Sequence, residues 1–129
     1  DVAPGQTITT LDLTDALPPE FQFVSVASTS GGTVSAIATP STTVPGGTLT
    51  RRFASVTGTA AAIDAQVTFN FYVPRVDANG NEIIDPDTGD DVPVTNSGSG
   101  QGTWDPIDPR DPVAAVTAGD TDAITVKSI

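Results

Sequence analysis

An all-β, antiparallel sandwich of about seven strands with minimal helix is the fold this sequence predicts, on three observations. Apolar residues are mainly Val, Ile and Ala with a few Phe, and Thr and Ser fill the positions between them, a mixture suited to half-buried pleated strands. Twelve Gly and eleven Pro punctuate the chain every few residues, too often for helices to run. From Ile63 to Val73 the residues Ile63, Ala65, Val67, Phe69, Phe71 and Val73 alternate with Asp64, Gln66, Thr68, Asn70 and Tyr72, and no segment carries a helical period.

Taken in order, Thr7 to Leu13 sets Leu11 and Leu13 on one face, and Phe21 to Ala27 alternates Phe21 and Phe23 against Gln22. Thr33 to Ala38 follows, then Thr48 to Val56 with Leu49 and Phe53 flanking Arg51. Ile63 to Val73 is expected to be the central strand, and Val92 to Asn96 and Ala123 to Val126 complete the set. Turn signals separate them at Pro18-Pro19, Gly31-Gly32, Pro45-Gly46-Gly47, Gly58 and Asn79-Gly80. The Asn79-Gly80 pair predicts a tight type I′ hairpin with Ile83-Ile84 returning. Gly98 to Pro112, with three Asp-Pro steps, reads as an ordered loop pinned by Trp104.

Sixteen acids oppose five bases, a formal net charge of −11. No basic footprint exists for a nucleic-acid partner. The acidic surface suits solubility, cation binding or high salt. Without Cys, His or Met, thiol nucleophiles, Cys/His zinc sites and imidazole acid–base chemistry are excluded. The absence of Cys leaves the redox compartment open. No apolar run is long enough to insert into a membrane. The chain opens at Asp1 rather than Met, as a processed product or a piece of something longer would.

Two passages carry a resemblance. Pro4-Gly5-Gln6-Thr7, followed by LDLTDALPPEFQFVSV, resembles a signature of Ig-like "conserved repeat" domains of prokaryotic surface proteins, the eleventh numbered family of unknown function. The later VPVTNSGSGQGTW resembles that family's closing strand. Glu20 stands where the motif usually has Gly, and the stretch before Thr14-Asp15 is shorter than usual. The resemblance implies an Ig-like sandwich, an extracellular place at the cell surface, and a structural role in a stalk, adhesin, surface layer or filament. It implies no catalytic residues. On this reading residues 1–129 are a single repeat, and 121–129 also reads as the strand leading into a following one. The partners expected are neighbouring repeats or identical subunits, paired through terminal strands. Thr14, Asp15, Leu17 and Pro18 read as architecture: Thr and Asp capping the turn, Leu17 plugging the sandwich end, the prolines stopping the strand.

Four constellations bear on chemistry. Between Asp77 and Asp91 the residues Asp77, Asn79, Asn81, Glu82, Asp85, Asp87, Asp90 and Asp91 offer the oxygens that Ca²⁺ takes, roughly six to eight at a time. Asp77, Asn79, Asn81, Asp85, Asp87 and Asp90 are the candidate ligands. The spacing fails the EF-hand rule, because Glu82 stands where Gly is required, and solvated acidic loops are the plainer expectation. Asp105, Asp108 and Asp111 form a second, equally irregular cluster. Lys127, the single Lys, is the one possible donor for an intramolecular isopeptide, with ordinary exposure as the alternative. Tyr72 on the wet face and Trp104 could stack on a sugar, making a glycan- or receptor-binding adhesin module the second functional reading. An enzyme built on paired carboxylates is the third, disfavoured by only seven aromatic residues to wall a cleft.

Overall fold

The computed structural model describes residues 1–83 and 92–126. Seven strands form two antiparallel sheets, a small β-sandwich with no helix among the described residues. They are β1 (Thr7–Leu17), β2 (Gln22–Ser30), β3 (Thr33–Ala38), β4 (Gly47–Thr57), β5 (Gln66–Tyr72), β6 (Val92–Asp105) and β7 (Ala114–Val126). The larger sheet has the order β3-β4-β1-β6-β7, and the smaller is the pair β2-β5.

Strand β1 is the axis of the larger sheet, pairing β4 on one side and β6 on the other. Its register with β6 shifts between Thr9 and Asp12, where Thr10 adopts a φ of 52°. A β-branched residue in that region costs on the order of 1–3 kcal/mol. The bulge turns both Ile8 and Leu11 inward, and both join the same core cluster. Beyond it, Leu11, Leu13, Asp15 and Leu17 share the inner face by simple alternation.

The core lies where β2 and β5 cover β4 and β1. At one end Leu17, Phe21, Phe23, Leu49 and Val94 are buried, with Val26, Val67, Phe69, Phe71 and Val73 packed against them. Phe21 stacks on Phe71 with ring centroids 4.2 Å apart. At the other end Val2, Leu11, Phe53 and Val56 are buried beside Ile8, Leu13, Ile63 and Ala65. The β2–β3 turn needs glycine: Gly31 has φ 93°, and a Cβ there would collide with the Asp64 carbonyl.

Several expectations change. The Ile63–Val73 strand is regular only over Gln66–Tyr72, and it is not central: among the described residues β5 pairs β2 alone, and Ile63 forms a separate bridge to Val2. Alternation reports that one face is buried; it carries no information on the number of neighbours. Gln22, expected on the wet face, is buried, because the chain from Pro40 folds over it and its Nε2 donates to the carbonyls of Ser41 at 2.9 Å and Phe23 at 3.2 Å. The first half of Gly98–Pro112 is not a loop; β6 continues through it to Asp105. Thr14 and Asp15 lie within β1 rather than capping its end, whereas Leu17 is buried at the sandwich end as expected. Asn79-Gly80 does form a turn, bracketed by the Val76–Glu82 bridge, with Gly80 at φ 87°, but Asn79 lacks the positive φ of type I′. Ile83 is buried, and Ile84 lies outside the described residues.

Candidate functional site

Asp77 is committed to its own turn. Its Oδ1 accepts the backbone N–H groups of Asn79 at 2.8 Å and Asn81 at 2.9 Å, and its Oδ2 accepts Nδ2 of Asn81 at 3.2 Å. These bonds, the Asn81 N–H foremost, hold the carboxyl below its ordinary range. The neighbouring Glu82 pairs with Arg75 at 2.7 Å. Asp85, Asp87 and Asp90, together with Asp91, lie outside the described residues. In the second cluster Asp108 pairs with Arg110 at 2.6 Å, and this bond lowers its pKa. Among the described residues, no three Asp or Glu side chains converge as a metal site would require.

Tyr72 and Trp104 do not form one platform. Tyr72 is exposed at the end of β5 that pairs with Gln22. Trp104 sits at the far end of the other sheet, opposite Ile8 and Ala114. It is half-buried, and its Nε1 donates to Oε1 of Gln6 at 2.7 Å. It belongs to strand β6 and not to a loop. Lys127 lies outside the described residues.

The most distinctive polar geometry involves a residue not singled out from sequence, Asn96. On the inner face of the larger sheet its Nδ2 donates to Oδ2 of Asp15 at 2.8 Å. Oδ1 of Asp15 and Oδ1 of Asn96 are both shielded from solvent and have no partner. Desolvation raises the Asp15 pKa, and the Asn96 bond offsets part of that rise. Asp15 borders a groove of about 520 Å³ between β5 and the β6–β7 half of the larger sheet. Leu13, Val67 and Phe69 form its walls, and Gly98, Gly100, Ala118 and Gly119 its floor. The glycine alternation from Gly98 through Gly102 is the signal the sequence offers: it marks the open face of a strand and not a loop.

No family model, curated protein or solved structure matches the chain.

Proposed function

We propose that this chain is a non-catalytic structural module of a secreted cell-surface stalk, adhesin, surface layer or filament, of the Ig-like repeat type its motifs resemble. The path of the chain carries the reading. Strand β1 begins at Thr7, beside Thr57 and Asp105, at one end of the sandwich. Strand β7 finishes at Val126, beside Val92, at the opposite end. Modules entered at one end and left at the other string into a rod, whereas modules with adjacent entrance and exit fold back. The reading requires no cofactor, and its partners are neighbouring copies meeting end to end.

The thirteen residues of β7, at about 3.3 Å each, make the module roughly 40 Å long. Chains of one, two and three copies in series, measured by small-angle X-ray scattering, are expected to lengthen by about that amount per copy. A maximum dimension that grows only as a compact globule would, with the copies folded back on one another, overturns the proposal.

A further inference from the structure

The two sheets differ in width, five strands against two, so the smaller covers only part of the larger. The groove runs along the step. On its upper side is β5, which pairs with β2 alone; among the described residues no strand occupies its other edge. Alternate peptide groups of Gln66–Tyr72 therefore point N–H and C=O into the groove, unpaired by the sheet. Val67, Phe69 and Phe71, the inward residues of β5, are half-buried where a covered sandwich strand would bury them fully.

The floor is correspondingly empty. A Cβ added at Gly98 would meet nothing within 4 Å. On the same face β6 carries Gly100 and β7 carries Ala118, directly paired. An incoming strand with bulky apolar side chains would fill the volume these small residues leave. Its charge is constrained too. The groove's titratable lining is Asp15 and Asp120, with Asp1 where it continues past Val2 and Val116, and no Lys or Arg lines either stretch. Asp120 Oδ1 is held by the Thr121 N–H at 2.8 Å. Asp15, on that lining, keeps one carboxylate oxygen with no donor. Groups bearing several N–H donors and a positive charge meet both needs. A second copy of this chain, at net charge −11, has the wrong sign.

We propose that the groove beside β5 accepts one extended strand of a partner protein, whose inward face alternates bulky apolar side chains with a Lys or Arg set against Asp15. Backbone bonds to the edge of β5 hold the strand, the glycine floor selects large side chains, and Asp15 selects the cation. This goes beyond the stalk reading, because a rod serves as a spacer whether or not the groove is filled.

The test titrates the full, isotope-labelled chain with two synthetic nine-residue peptides of alternating Thr and Val, one with Lys and one with Glu at the central inward position. The Lys peptide is expected to shift the amide resonances of Gln66–Tyr72, Gly98 and Gly100, and to bind at least about tenfold more tightly than the Glu peptide, with an advantage that shrinks in high salt. Gly98→Val fills open space on the floor without a backbone clash; it should abolish binding while the resonances of β1 and β4 stay in place. Asp15→Asn should retain binding and lose the preference for Lys. Absence of any shift along β5, equal affinity for both peptides, or binding undiminished by Gly98→Val would each overturn the proposal. So would concentration-dependent shifts of the same amides without peptide, which would make a second copy the occupant.

Discussion

The two halves of the larger sheet are built from the same kind of ladder and differ in what lies above them. Under β2 and β5, strands β4 and β1 bury Leu49, Phe53, Val56 and Leu11. Away from that cover, β7 pairs with β6 along its whole length, yet its residues from Ala114 to Ala123 are all exposed. Hydrogen bonds alone set a strand's position, but each contributes only about 1 kcal/mol net. Removal of apolar surface from water decides how firmly it stays there. The covered half is where the fold is stabilised, and the uncovered half is a correctly shaped ladder with spare capacity.

That contrast is sharpest at matched truncations. Phe53→Ala, at a fully buried site, should cost about 3–5 kcal/mol. Against a total of about 5–15 kcal/mol for a domain, that brings the protein near the edge of unfolding. Val116→Ala on β7, 37 % exposed, should stay within about half a kcal/mol of wild type. Chemical denaturation of both variants measures the difference, and equal losses would mean that the uncovered half contributes to the core after all. Amide exchange should show the same gradient without mutation. The amides of β1, a strand paired on both sides, should open only with global unfolding, and those of β7 through much smaller local openings. Uniform protection across β1 and β7 would remove the distinction.

Most strands were legible because alternation is a local property that survives into the fold. Thr33 to Ala38 emerged with the bounds read for it, and Leu11, Leu17, Phe21, Phe23, Leu49 and Phe53 are all buried. The errors came where a residue's local meaning depends on distant partners. Gln22 looks solvent-facing until Ser41 arrives to accept its bond. The glycines of β6 look like a loop until Leu13 of β1 packs over Gly100, within 3.4 Å of where a Cβ would stand. Asp15 looked like a turn cap; its partner Asn96 is eighty-one residues away and meets it only because β1 and β6 are neighbours. Among the described residues, Asp77 and Asp108 join no cation cluster for the converse reason: each is satisfied by residues two to four positions on, so local bonding uses these two groups before any tertiary site could.

The smallest effect separates the two faces of β1 by the sign of their pH dependence. On the outer face Asp12 receives Nε and Nη2 of Arg52 at 2.7 and 2.5 Å, and the Arg52 hydrogen bonds hold its pKa below the ordinary value of 3.8. Its stabilising contribution is present above that value and lost as pH falls through the lowered one. On the inner face Asp15 has a raised pKa, so the folded state binds its proton more tightly than the unfolded chain does. That contribution favours the fold below the ordinary value and is lost as pH rises through the raised one. Asp15→Asn, which keeps an oxygen to accept from Asn96, should therefore stabilise the protein at neutral pH, with the gain fading as pH drops through the window above 3.8. Asp12→Asn should destabilise at neutral pH, with the loss fading on acidification below 3.8. Melting temperatures of both variants from acid to neutral pH should thus diverge in opposite directions. An Asp15→Asn curve lying below wild type at neutral pH would show that the carboxylate is satisfied as it stands, leaving the groove with no unmet acceptor for a cation.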